Sequence, residues 1–416
     1  MTEYADLSQK DKLSKPLNIS LVSTTYPPVP GGMEVYVEKV ARALRIAGND
    51  VRVATRFATR RPEDGMRGLL TSAAPGLRRR DQGVRIRELR PGWRGALLQP
   101  VFRLQARSYT RSIAKYLFNK AYFADLYEAT KGSEVVHYSG TGREMLGFTA
   151  LKLAQQRGVP LVVTPHTHVE SWGDGDVDIA LYRQADAVIA LTAFERSHLS
   201  SLGVDAARIY VVGHGVTVQG TGNAVRAREQ LNFDGPVVLF LGRKTHYKGF
   251  GDVLASAPEI WNTYPETCFV FAGPDADDTG GLRTKHDDVL KDARVVERGF
   301  VSEQEKEDLL AAADVFCLPS RAEAYGLVYL EAWVYETPVV ARAIPTLREL
   351  IGGSGGGLLV DEDGGTIAEA LVRLLENKEL RTKLGAAGKA HADQQTWTRV
   401  AKQLTSIYTQ HRQGAP

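Results

Sequence analysis

"DVFCLPSRAEAYGLVYLEA", residues 314–332, carries the pattern that decides the fold. The apolar run "VFCLP" reads as a buried strand, "SRAEAY" as a loop at its carboxyl end, and "GLVYLEA" from Gly326 as the opening of a helix. "VYETPVV" follows with the next strand. Glu323 stands on the loop and Glu331 inside the helix. Their spacing alone singles out nothing, because Glu297 and Glu305 in "ERGFVSEQE" repeat it. Placement does. In open parallel sheets ligands gather at the carboxyl ends of strands, and the free N–H groups of a helix start favour an anion such as phosphate. Gly326 lets that backbone approach a ligand closely. Helical side chains lean toward the N-terminus, which points Glu331 back at the same place.

Outward from this stretch, short apolar runs and helical stretches alternate. A first series of strands reads as "NISLVSTTY", "DVRVATRF", "GVRIREL", "EVVHYSG", "PLVVTPH", "DAVIALT" and "RIYVVGHGV". A second series, after the Gly- and Thr-rich "GVTVQGTGN", reads as "PVVLFLG", "CFVFAG", "RVVERGF", "DVFCLP", "TPVVA" and "GGLLV". Strand–helix alternation predicts parallel sheets covered on both faces. Two such series in 416 residues predict an α/β protein of two Rossmann-like domains facing across a cleft, with the crossover near residues 214–235.

The bulk composition is that of a soluble globular protein, 43% hydrophobic and 24% charged. Cys268 and Cys317 sit in apolar strands and read as buried free thiols, which excludes a disulfide framework. The polar opening "MTEYADLSQKDKLSKP" lacks a signal-peptide core, and no apolar run approaches the length of a membrane span. A cytoplasmic protein is expected. Net charge is only +3, yet residues 52–111 hold fifteen arginines, no lysine and four acids (Glu63, Asp64, Asp81, Glu88), leaving −8 for the rest. Such asymmetry points to an anionic partner. Within "LRRRDQGVRIRELRPGWRGALLQPVFRLQARSYTRSIAKYLF" the apolar Trp93, Leu97, Leu98, Val101, Phe102 and Leu104 interleave with arginines, a composition that suits anionic headgroups if they are exposed. As core residues they would leave only a solvated basic face. No nucleic-acid motif accompanies the charge.

Cations to offset the glutamates stand in "FLGRKTHYKGF", where Arg243 and Lys248 follow a strand end and suit a diphosphate. The loop is not a Walker loop. "PPVPGG" places Gly31 and Gly32 between the first strand and first helix, where ligands often meet bare backbone. The full Gly-x-Gly-x-x-Gly fingerprint is absent, against a nicotinamide enzyme. "VVTPHTH" puts His166 at a strand end and His168 two further, available to bind a sugar or move a proton. The acidic runs "GDGDVD" and "PDADD" do not fit an EF-hand and read as loop tips, so no metal is expected.

Taken in order, "PPVPGG", the mid-chain histidine, Gly-Arg with Lys-Gly beyond it, and "EAYGLVYLE" resemble glycosyltransferase family 4, retaining enzymes of the GT-B fold. The resemblance runs from about residue 17 and is strongest over 236–362. It implies an N-terminal acceptor-side domain (1–213, joined by a final helix 396–416) and a donor domain (214–395). It further implies that Arg243 and Lys248 hold the donor diphosphate with N–H groups around Tyr325, Gly326, Leu327 and Val328. Glu331 would bind the ribose, Glu323 and His166 the donor sugar, and Gly31 and Gly32 would cover it. The implied activity is retaining transfer of a hexose, glucose by family frequency, from a UDP-sugar to a glycan or lipid-linked acceptor, without metal or other cofactor. Exopolysaccharide or glycolipid synthesis at the inner membrane face is the implied setting. A nucleotide-sugar epimerase of the same fold and a non-catalytic sugar-binding protein are the rivals. His214 in "GHGVTV", Glu336 in "VYETPVV" and the missing glycine pair in "ARAIPTLREL" depart from the family pattern, whereas Glu349 is kept.

Overall fold

The computed structural model describes residues 15–60, 62, 65–217, 220–360 and 365–413. Residues 1–14, Arg61, Glu63 and Asp64 of the arginine-rich segment, Val218 and Gln219 of the crossover, 361–364, and 414–416 of the expected final helix lie outside the described residues. The chain divides into two compact units, Met1–Gly215 with Trp397–Pro416, and Val216–Thr396.

The first unit is built on β1 (Asn18–Thr25), β2 (Asp50–Phe57), β3 (Arg78–Asp81), β4 (Val84–Glu88), β5 (Val135–Ser139), β6 (Leu161–Thr164), β7 (Ala187–Ala190) and β8 (Ile209–Val211). They lie in the order β3-β4-β2-β1-β5-β6-β7-β8. Every pairing is parallel but one: β3 runs antiparallel to β4. That hairpin departs from the purely parallel expectation. Its two-residue turn has Gln82 at φ 45° and Gly83 at φ 85°, the positive pair that matches strand twist. The interior strands β5, β6 and β7 are buried along their whole length, as expected for a sheet covered on both faces.

The second unit holds β9 (Val237–Leu241), β10 (Cys268–Ala272), β11 (Val295–Arg298), β12 (Val315–Cys317), β13 (Val339–Arg342) and β14 (Gly357–Val360), in the order β11-β10-β9-β12-β13-β14 and parallel throughout. In both sheets the first strand lies inside and the chain winds outward in both directions. The direction reverses between β1 and β5 and between β9 and β12, and such reversal points open a crevice at the carboxyl ends.

The helix Trp397–Gln413 completes the first unit. Its Tyr408 hydroxyl lies 2.6 Å from Nδ1 of buried His137, and Thr405 accepts from Asn49 at 3.5 Å. Cys268 and Cys317 are free and buried, and burial pushes the Cys268 thiol up to about 11. Among the described residues no helix is long and apolar enough to cross a membrane.

The apolar residues of the arginine-rich segment divide in a way their sequence hides. Leu98 and Val101 are core, and Phe102 and Leu104 pack against it. Leu97 is half-buried. Only Trp93 of the six is exposed, at 82%. Exposed apolar surface comes instead from Tyr109 and from Ile113 and Tyr116 on the helix Arg111–Ala129.

Candidate functional site

The second unit gathers most of the expected residues on two loops at its reversal point. The loop after β9 carries Arg243 and Lys248; the loop after β12 carries Glu323 and runs into the helix Leu327–Val334. Lys248 Nζ lies 2.6 Å from Glu323 Oε1, and Glu323 is 8% exposed. Backbone joins the loops as well: the Arg321 N–H donates to the Tyr247 carbonyl at 2.7 Å. Gly249, at φ 79°, packs so closely that a Cβ there would lie 2.6 Å from the Pro319 ring. Asp252 ties the same region together by accepting from Arg321 and, at 3.0 Å, from buried Arg342.

Gly326 caps the Leu327–Val334 helix at φ 98°, a left-handed conformation, and a Cβ there would meet the Tyr329 ring at 2.6 Å. The N–H groups of Leu327 and Val328, which open the helix, have no intrahelical acceptor, whereas that of Tyr329 donates to the Gly326 carbonyl at 3.1 Å. Tyr325 is buried beside them. Glu331 Oε1 lies 2.8 Å from Lys306 Nζ, which also reaches Glu303 at 2.8 Å. Burial works against that ammonium, yet Glu331 and Glu303 hold it well above the usual lysine range. Each glutamate therefore has its own lysine. Arg243 is exposed and, among the described residues, has no side-chain partner. Its neighbour Lys244 is buried instead, 3.1 Å from Glu297 and donating to the Arg298 carbonyl at 3.0 Å.

The remaining expected residues lie in the first unit. Gly31 precedes the helix Gly32–Ile46, and a Cβ on it would come within 2.2 Å of the Glu34 carboxylate; at Gly32 there is open space. Buried Glu34 accepts from Thr25 at 2.6 Å. His166 follows β6 at φ 54°, with its ring edge-on to Tyr36 at 4.8 Å. Its Nε2 is buried with no hydrogen-bond partner among the described residues, and burial pulls its pKa well below 6.5, so the imidazole is neutral. His214 lies 5.0 Å from the Tyr36 ring and 5.2 Å from that of Trp397, completing an aromatic group around Tyr36. The His166 loop is pinned from below by Glu195, which accepts from the N–H of Thr167 at 2.9 Å and of Leu191 at 2.7 Å. His168 stacks on Trp172 at 3.8 Å.

Sequence reasoning missed Lys306, Glu34, Glu195 and Lys244. Thr192 ahead of "AFER" is an N-cap signal from which Glu195 could have been placed in a first helical turn, but nothing local marks the others. The acidic runs have structural employment: Asp174 meets His198 at 3.0 Å, Asp178 accepts from the Arg143 N–H at 2.8 Å, and Asp278 accepts from the His246 N–H at 2.7 Å.

Comparison with known proteins agrees with this architecture. Residues 31–215 match the family described as a glycosyl transferase 4-like domain, and residues 223–391 match glycosyl transferases group 1. A D-inositol 3-phosphate glycosyltransferase of Acidothermus cellulolyticus is 30% identical over 91% of this chain and 85% of its own. Sucrose-phosphate synthase from Thermosynechococcus elongatus superimposes with a TM-score of 0.73 at 23% identity, covering 94% of this chain and 98% of that one. Anabaena HepE in complex with UDP-glucose gives 0.72 at 18% identity, covering 94% and 99%. The chain belongs to glycosyltransferase family 4: it is a glycosyltransferase of the GT-B fold class, with two Rossmann-like units.

Proposed function

We propose that this glycosyltransferase moves a hexose, with glucose the leading candidate, from a uridine diphosphate donor to a hydroxyl of a glycan or lipid-linked saccharide, retaining the anomeric configuration and using no metal. The observation that carries this reading is the Lys248–Glu323 pair, 2.6 Å apart, beside the helix start at Gly326. An ammonium has three donors. Glu323 engages Lys248 through one oxygen, so Lys248 retains N–H groups for a diphosphate and Glu323 an oxygen for the donor sugar. Arg243 adds a second cation, and the N–H groups of Leu327 and Val328 accommodate phosphate oxygens. Preorganised positive charge of this kind stabilises a departing nucleoside diphosphate without reorganisation. Lys306 occupies Glu331 Oε1 and leaves Oε2 for ribose hydroxyls.

Retention in this scheme needs no protein nucleophile. The acceptor hydroxyl attacks from the leaving group's face, and a phosphate oxygen takes its proton. Neutral His166, with Nε2 unpartnered, suits a hydrogen bond to a sugar hydroxyl. A retaining glycosidase would instead place two carboxyl groups about 5 Å apart across the bond; here each carboxylate is matched to a lysine. The HepE complex with UDP-glucose supports the donor. A second acceptor class, a phosphorylated polyol, is favoured by the name of the Acidothermus relative. Exposed Trp93, Tyr109, Ile113 and Tyr116, with Arg94 over Trp93 and Lys120 over Tyr116, support peripheral contact with an anionic membrane.

Isothermal titration with a panel of nucleoside diphosphates and their sugar conjugates, chelator present, tests the donor. UDP and UDP-glucose should bind, and Lys248→Ala and Glu331→Ala should each weaken binding about tenfold or more. Absence of binding by the folded wild type would overturn the proposal; tighter binding of another base would replace uridine.

A further inference from the structure

The hairpin β3–β4 sets arginines against arginines. Its register pairs Arg78 with Arg87 and Arg80 with Arg85, and the β2–β4 register places Arg52 beside Arg85. Directly opposed cross-strand residues share a face, so these five guanidinium groups stand together on one face. Like charges directly opposite destabilise a strand pair unless something offsets them. Asp50 accepts from Arg85 at 2.6 Å and Arg52 at 3.2 Å, and Asp125 accepts from Arg87. Arg78 and Arg80 are exposed and have no side-chain partner among the described residues. A cavity of about 540 Å³ opens here, lined by Arg52, Arg78, Arg79, Arg80, Arg85 and Arg87, with Glu128 the one acid in its wall among the described residues.

We propose that this cavity of the first unit is an anion site for a ligand that presents two or more phosphate groups, on one molecule or across a lipid surface. The two unpaired arginines alternate along β3, so their Cα atoms are about 7 Å apart and engage two neighbouring phosphates, on one molecule or on adjacent headgroups. Guanidinium forks suit phosphate oxygens in particular. Arg52 and Arg85 stand near the amino ends of their strands, away from the carboxyl ends that lead to Gly31 and His166. The turn Gln82–Gly83 locks the arrangement: the Arg45 guanidinium donates to the Gln82 carbonyl and covers Gly83, where a Cβ would lie 2.3 Å from it. The phosphates belong either to a soluble polyphosphate or to lipid headgroups.

The full chain, the double variant Arg78→Gln/Arg80→Gln and a control, Lys378→Gln/Lys383→Gln at two exposed lysines of the second-unit helix Lys378–Ala392, separate these cases. Inorganic tripolyphosphate is titrated calorimetrically, and co-sedimentation uses phosphatidylcholine vesicles with and without phosphatidylglycerol. All three proteins keep Arg243 and Lys248, so binding there cancels. The arginine double variant should lose affinity about tenfold or more while the control keeps it. Loss for tripolyphosphate alone identifies a soluble ligand; loss of phosphatidylglycerol-dependent sedimentation identifies headgroups. If wild type binds neither probe, or the arginine variant binds both as wild type does, the proposal is wrong. Should the double variant unfold at lower urea than wild type, Arg80→Gln alone supplies the comparison, with an affinity between the two.

Discussion

A carboxylate beside a phosphate is unfavourable unless a cation accompanies it, and here each candidate glutamate is accompanied. Glu323 has Lys248 and Glu331 has Lys306. The first lysine stands in a recognisable loop; the second comes from the helix Glu303–Ala312, twenty-five residues earlier, where it reads as one more charge in "SEQEKEDL". Lys306→Met would leave Glu331 without its cation and free to rotate. The expected result is a donor KM raised about tenfold, with kcat changed less and Lys306→Arg largely restoring both. Steady-state kinetics with varied donor measures the split. A fall in kcat at unchanged KM would mean that Glu331 acts on the transition state and not on the bound nucleoside.

At the level of elements, the parallel strands were legible because burial on both faces writes them as continuous Val, Ile and Phe runs. β9 and β10 match those runs closely, and the helix after "EAY" starts where Gly326 allows it. β3 was not legible. "RRRD" has no apolar face because it is an edge strand, and edge strands are commonly marked by charge. The residues around Trp93 failed for a related reason: short helical turns there have no long period, so sequence alone could not divide Leu98 and Val101 from Trp93. Gly326 carries a prediction at this scale. Alanine would adopt φ 98° unfavourably and press its Cβ on Tyr329, costing about 1–2 kcal/mol or more. Urea denaturation would show a lower midpoint with an unchanged slope. An unchanged midpoint would mean that the loop relaxes without loss.

For the whole molecule, the buried histidines of the first unit set the response to acid. Burial lowers His137 to about 3, His214 to about 4 and His166 well below its ordinary 6.5. Below about pH 6.5 the unfolded chain takes up protons that the folded chain refuses, so stability falls as pH drops toward the folded values. Glu195, pushed up to about 7 by burial, acts in the opposite sense: its folded form keeps a proton that the unfolded form releases, and stability falls as pH rises from 4.5 to 7. Three histidines outweigh one carboxyl. The urea midpoint should be lower at about pH 5 than at about pH 7, and His214→Asn should reduce the difference; a flat profile would contradict the burial of these rings.

The helix Trp397–Gln413 also dictates the order in which the protein can be completed. When Gly215 has left the ribosome, every strand of the first sheet has been made, yet His137 still lacks Tyr408 and the aromatic group around Tyr36 lacks Trp397. The whole of Val216–Thr396 must be synthesised first. That intervening unit ties its own two ends together, with the Val216 N–H donating to the Gln395 carbonyl at 2.7 Å. The half begun first is therefore finished last.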